Sequence, residues 1–164
     1  MHRIIILLVA MLPLAASAQQ PAPPKETSKE AGKDMGKAYV PGLEQFMNLI
    51  LIEHNKLWFA AKARNWALAG YQLGEIKEIM SDVQDFVPSF KNLPLADMLD
   101  AVITNEIVEL KKSIQAKNYK AFTAGYDKLT RACNACHQGT ENDFIRIKRP
   151  AQPAFTNQDY RPRN

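Results

Sequence analysis

The sequence predicts an all-α protein, an antiparallel up-down-up-down four-helix bundle formed by residues 41–140. Four segments carry apolar residues at alternating spacings of three and four, and this spacing places them on one face of a helix. The links between the segments are short, so consecutive helices are expected to pack side by side in opposite directions. Alternation typical of a strand is confined to residues 144–147. A chain of 164 residues can form one such core without a disulfide scaffold.

The residues before the bundle are predicted to lie outside the folded domain. Residues 1–18 combine a basic start at Arg3, a short apolar stretch and an Ala-Ser-Ala ending, which is typical of a secretory signal peptide cleaved after Ala18. The apolar stretch is too short for a stable membrane span. Residues 19–40 are rich in Pro, Lys and Glu, and we expect a flexible leader there. The mature protein is therefore expected to work outside the cytoplasm.

The first two helices are predicted from residue 43 to residue 62 and from Asn65 to the residue before Pro88. Asn65 suits an N-cap because its side-chain oxygen can accept a backbone N–H bond of the first turn. Pro88 ends the second helix because proline cannot donate a helical hydrogen bond. The apolar faces are Leu43, Phe46, Met47, Ile50, His54, Leu57, Trp58 and Ala61, then Trp66, Ala69, Leu73, Ile76, Met80, Val83 and Val87.

The third helix is predicted to open near Pro94, a residue suited to a first helical turn. The fourth helix begins near Asn118, a second candidate N-cap. The apolar faces of these two helices are Leu95, Leu99, Ile103, Ile107, Leu110 and Ile114, then Tyr119, Phe122, Tyr126, Leu129, Cys133 and Cys136.

The distribution of charge argues against nucleic-acid binding. The formal net charge is +4, but residues 41–138 carry as many basic as acidic side chains, and the excess lies in the two ends of the chain. A neutral folded unit lacks the basic face that nucleic-acid binding requires.

The only two cysteines of the chain lie in the sequence Cys133-Asn134-Ala135-Cys136-His137 near the end of the fourth helix. Cys-x-x-Cys-His is the attachment motif of c-type haem. Residues three apart on a helix share a face, so both thiols can reach the two vinyl groups on one edge of the macrocycle. His137 can then ligate the iron. The motif predicts one covalently attached haem c, held by Cys133 and Cys136, with His137 as the proximal iron ligand.

Three other uses of the cysteines stay open at this stage. A thioredoxin-like dithiol requires a βαβ setting, which the helical pattern does not provide. A structural zinc site needs about four ligands, a count that His54 completes together with the motif. A disulfide between Cys133 and Cys136 would close a very small loop. In the last two cases the protein would be a haem-free helical interaction module.

Four helices with Cys133-x-x-Cys136-His137 near the end of the last one resemble the cytochrome c′ / cytochrome c-556 family. The resemblance covers about residues 41–140, and the haem motif is its only specific sequence element. It implies a haem inside one end of the bundle of a periplasmic protein that passes electrons to a redox partner protein or binds a small gas. Such a protein is a carrier and not an enzyme. Members of the family are often homodimers.

Residues 141–164 depart from this resemblance, because the motif lies close to the C-terminus in the family. Two alternatives are open for this tail. It packs on the bundle, with Arg146 or Arg149 near a haem propionate, or it is a solvated extension.

The sixth iron position distinguishes the two functions. Met47 is the first candidate, because it lies on the apolar face about one turn into the first helix, the helix from which the resembled family draws its distal residue. His54 is the alternative, roughly 10 Å further along the helix at 1.5 Å per residue, and Met98 is the third. A Met or His ligand suits electron transfer, whereas an open position suits nitric oxide or carbon monoxide. The side chains expected to pack on the haem are Phe46, Ile50 and Leu129.

Overall fold

The computed structural model describes residues 39–163, and every regular element in that range is helical. The predicted signal peptide and all but the last two residues of the predicted leader lie outside the described residues. Within residues 39–163, no helix is both long enough and apolar enough to cross a membrane. The helices are α1 (Leu43–Lys62), α2 (Trp66–Phe86), α3 (Leu95–Val102), α4 (Val108–Gln115) and α5 (Tyr119–Gly139).

A short π-helical segment, Ile103–Ile107, joins α3 to α4, so these pieces form one continuous helix. The predicted all-α class with four helices is therefore confirmed for the described residues. The sequence pattern predicts an uninterrupted third helix. The structure differs because the side chains of Thr104 and Asn105 donate to the backbone carbonyls of Asp100 and Ala101, at 2.9 and 2.7 Å, where the ladder widens.

Both predicted asparagine N-caps are confirmed. The Asn65 side-chain oxygen accepts a hydrogen bond from the Leu68 N–H at 3.1 Å, and that of Asn118 accepts one from the Ala121 N–H at 3.0 Å. Each bond satisfies a backbone donor that the first helical turn cannot pair internally.

The turn after α5 reverses the chain. Glu141 adopts a φ of 58°, in the left-handed region, and the Asn142 N–H donates to the His137 carbonyl at 2.7 Å. This pattern is a Schellman-type helix end. The same geometry ends α1 at Arg64 and α4 at Lys117, with φ of 62° and 51°. The turn at Glu141 directs the following residues back over the bundle.

The core is made by the predicted apolar faces, whose members are all buried or half-buried. Its largest fully buried side chains are Leu57, Ile76, Val83, Leu110, Phe122, Tyr126 and Leu129. Gly125 allows α5 to approach α4 closely, since a Cβ at that position would lie 3.2 Å from Leu110 Cγ.

The tail after α5 has no regular element, yet it lies along the bundle. Asn55 on α1 donates from Nδ2 to the Gln152 carbonyl at 3.1 Å and accepts the Ala154 N–H at 2.9 Å. Tyr160 is only 8 % exposed, and its ring lies 5.8 Å from that of Phe59. The chain therefore runs from the end of α5 back along α1.

We expect Gly74→Ala to raise the free energy of unfolding by about 0.5–1 kcal/mol, because alanine has the higher helix propensity and the new methyl group meets nothing within 4 Å. Gly125→Ala is the matched variant. There, crowding of the new methyl group against Leu110 should offset most of the gain in stability. Urea unfolding of the two variants measures both effects. An equal gain in both would contradict the close approach of α4 and α5.

Candidate functional site

Cys133, Cys136 and His137 line a single cavity of about 360 Å³. This volume lies within the range of small-molecule sites. The rest of the wall comes from α1, α2, the link between α2 and α3, α3, α5 and the tail. Its apolar members are Leu43, Met47, Ile50, Leu51, Met80, Phe90, Leu95, Leu99, Val102, Ala132, Ile145 and Ile147.

The two cysteines are free thiols. Burial raises the pKa of Cys133 to about 12 and also raises the pKa of Cys136. Both side chains are therefore protonated at neutral pH. A thioredoxin-like dithiol depends on a thiol pKa below its ordinary value. The environment of Cys133 and Cys136 raises both pKa values instead.

His137 is half-buried at the end of α5, and its Nδ1 lies 3.0 Å from the backbone oxygen of Ile145. A carbonyl oxygen can only accept a hydrogen bond, so Nδ1 carries the proton and donates. In the uncharged form of the ring, this tautomer leaves a free electron pair on Nε2. A histidine that binds a metal through one nitrogen commonly donates the other N–H to such a carbonyl.

His54 also lines the cavity wall, but its two nitrogens are occupied. Nδ1 lies 2.8 Å from the Tyr126 hydroxyl, and Nε2 lies 3.0 Å from the Thr130 hydroxyl. The Thr130 hydroxyl donates to the Tyr126 carbonyl at 2.8 Å, so Nε2 donates to the Thr130 oxygen. In the neutral ring Nδ1 then accepts the proton of the Tyr126 hydroxyl, whose oxygen also lies 2.9 Å from the His54 carbonyl oxygen. Burial lowers the pKa of His54 to about 4, so the ring is neutral at pH 7.

These hydrogen bonds bear on the zinc alternative. That site requires a nitrogen of His54 as its fourth ligand, and both nitrogens are engaged with Tyr126 and Thr130. Within residues 39–163, no group of three or more His, Cys, Asp or Glu side chains is arranged to hold a metal ion by itself. The thiols of Cys133 and Cys136 and the His137 imidazole share the wall of this largely apolar cavity.

Two methionine thioethers reach the cavity. Met47 is half-buried on α1, and Met80 is buried on α2. Met98 is not on the cavity wall and lies beside Gly139, where a Cβ would be 3.8 Å from its Cε. Met80 is not among the three predicted ligands Met47, His54 and Met98, although it lies on the predicted apolar face of α2.

Of the other predicted site residues, only Ile50 lies on the cavity wall. Ile50 lines the cavity, whereas Phe46 and Leu129 lie in the adjacent core, with Phe46 stacked on Phe86 at 6.3 Å. Arg149 forms an ion pair with Asp127. The exposed Arg146 does not line this cavity. The wall also includes the tail residues Ile145 and Ile147, whereas the predicted contacts of the tail named only Arg146 and Arg149.

Comparisons with protein-family models, with curated proteins and with solved structures gave no match to this chain. The family resemblance drawn from the Cys-x-x-Cys-His motif therefore stays a prediction.

The buried His54 predicts a specific dependence of stability on pH. Its pKa falls from 6.5 to about 4 on folding, so the unfolded chain binds the proton first as the pH drops. The free energy of unfolding therefore keeps its full value above pH 6.5 and falls by up to about 3 kcal/mol as the pH approaches 4, because protonation of His54 favours the unfolded chain. We expect His54→Gln to lose less stability than the parent between pH 7 and pH 4 in urea unfolding. Equal losses would contradict a neutral, buried His54.

Proposed function

We propose that the protein is a periplasmic monohaem c-type cytochrome that carries electrons, similar to the cytochrome c′ / cytochrome c-556 family. The observation that carries the proposal is the grouping of two thiols and a histidine with a free Nε2 on one apolar cavity. Cys133 and Cys136 would hold the porphyrin through thioether bonds, and His137 would ligate the iron. The bound haem supplies one-electron chemistry at iron.

The composition of the cavity wall supports an antiparallel arrangement of the helices. Met47 lies near the start of α1, Met80 lies near the end of α2, Leu95 begins α3, and Cys136 lies near the end of α5. All four line the same cavity. The starts of two helices and the ends of two others meet there, as in an up-down-up-down bundle.

The state of the thiols fits covalent attachment. Addition of a thiol across a vinyl group forms one sulfur–carbon bond and places the thiol hydrogen on the neighbouring carbon. Cys133 and Cys136 are free thiols, so neither has to be released from a disulfide. Their spacing on α5 lets both face one edge of a planar group.

Met47 is the proposed sixth ligand. It lines the cavity, whereas Met98 does not, and the nitrogens of His54 are bound to Tyr126 and Thr130. A thioether ligand gives a low-spin iron with little rearrangement between redox states, which suits a carrier with a redox partner protein and no enzymatic activity. An open sixth position behind apolar walls would instead suit nitric oxide or carbon monoxide.

The test of attachment is the mass of the full chain produced in a host that matures c-type haem. We expect the mass of the processed chain plus one haem, and a colour that survives extraction with acidified acetone. Cys133→Ala combined with Cys136→Ala should abolish both. His54→Gln is the control and should keep the haem. A parent protein without the added mass would refute the proposal.

The identity of the sixth ligand is tested by the spectrum of Met47→Ala. We expect loss of the low-spin bands and of the far-red thioether band, together with faster carbon monoxide binding to the ferrous protein. Met98→Ala, off the cavity wall, serves as the control and should match the parent. A Met47→Ala spectrum identical to the parent would make Met47 a packing residue. If only Met80→Ala changed the spectrum, the ligand would be Met80.

A further inference from the structure

The tail residues 145–147 cover part of the cavity in which the haem is proposed to lie. The side chains of Ile145 and Ile147 belong to the cavity wall, and the Ile145 carbonyl accepts the hydrogen bond from His137. This segment has no secondary structure of its own, so contacts with the bundle have to fix its position.

We propose that Asn134 is a positioning residue that fixes the Ile145 carbonyl against His137 and thereby sets the electron-donating strength of the imidazole. Asn134 lies between the two cysteines of the motif, at a position that haem attachment leaves free to vary. The part of the inference that concerns iron rests on the proposed function.

The Asn134 side chain binds the tail at two points. Its Oδ1 accepts the Ile147 N–H at 2.7 Å, and its Nδ2 donates to the Ile147 carbonyl at 2.8 Å. Two bonds to one residue fix both the position and the rotation of the peptide groups at Ile147. The Ile145 carbonyl is only two residues away, so its direction is restricted as well.

Ile145 is also held on its N-terminal side, through its backbone N–H. The Ile145 N–H donates to the Asn142 carbonyl at 2.9 Å, and the Asn142 N–H donates to the His137 carbonyl at 2.7 Å. With the bond from His137 Nδ1 to the Ile145 oxygen, these contacts close a ring that begins and ends at His137. Asn134 anchors this ring on α5 from the tail side.

The bond to the Ile145 carbonyl makes the imidazole a stronger electron donor through Nε2, because a hydrogen bond from Nδ1–H raises the basicity of the ligand. A stronger donor stabilises ferric iron more than ferrous iron and lowers the reduction potential. Loss of the Asn134 contacts should therefore raise the potential without removing any iron ligand.

The chain supplies a matched control in Asn55. Its side chain makes the same pair of bonds to the tail, with Gln152 and Ala154, and it is not on the cavity wall. Asn55→Ala removes as many tail contacts as Asn134→Ala, but at Gln152 and Ala154, which follow Ile147 by five and seven residues.

The experiment compares full-length parent, Asn134→Ala and Asn55→Ala in two ways. The first is exchange of the His137 Nδ1 proton with solvent, followed by NMR in the diamagnetic ferrous carbon monoxide form, or in the haem-free chain if no haem is bound. The second is the reduction potential. In Asn134→Ala we expect at least tenfold faster exchange and a three- to tenfold greater preference for ferrous iron, the upper limit being 59 mV for one electron. Asn55→Ala should match the parent.

Unchanged exchange and potential in Asn134→Ala, or equal shifts in both variants, would overturn the inference. If Asn134→Ala fails to mature, Ile147→Pro removes the N–H that Asn134 accepts and leaves the motif intact, and the same shifts are expected. Absence of haem from the parent would refute the proposed function alone, because proton exchange at His137 would still test the role of Asn134.

Discussion

The arrangement depends on one constraint, the burial of a single turn of α5 that presents Cys133, Cys136 and His137 to the same apolar space. Helical geometry places residues three apart on one face, and packing of that face against α1, α2 and α3 encloses the cavity. A thiol pair on a solvated turn would have an ordinary pKa and no enclosed partner surface. Burial raises the pKa of both thiols, and apolar side chains form most of the wall around them.

The two histidines at the cavity differ in their hydrogen bonds. His54 would be a rival ligand if either nitrogen were free, and Tyr126 and Thr130 occupy both. His137 differs, because the Ile145 carbonyl accepts a hydrogen bond from its Nδ1, and Nε2 stays available. The same chemical group is therefore withheld at one position and offered at another by its hydrogen-bond partners alone.

The sequence was informative wherever the determinant is local. The caps at Asn65 and Asn118 and the apolar faces depend on neighbours within a few residues, and the structure has them as predicted. The grouping of Cys133 with His137 follows equally from spacing on one helix. The π-helical segment was not predictable, because it depends on a competition between side-chain and backbone donors for the same carbonyls.

The path of the tail was not predictable for a different reason. Asn55 and Asn134 bind backbone groups of the tail. Because every residue carries these groups, the side chains of the tail do not indicate where it binds. The sixth ligand that we propose is not determined by the sequence either, because two methionines from different helices reach one cavity wall.

The most direct test of the central claim is the spectrum of the reduced pyridine haemochrome of the purified, denatured protein. The position of its α band reports how many haem vinyl groups have been converted to thioethers. Our account predicts the band of a haem with both vinyl groups bonded, one to Cys133 and one to Cys136. A band typical of free vinyl groups, or no haemochrome at all in protein from a maturing host, would contradict it.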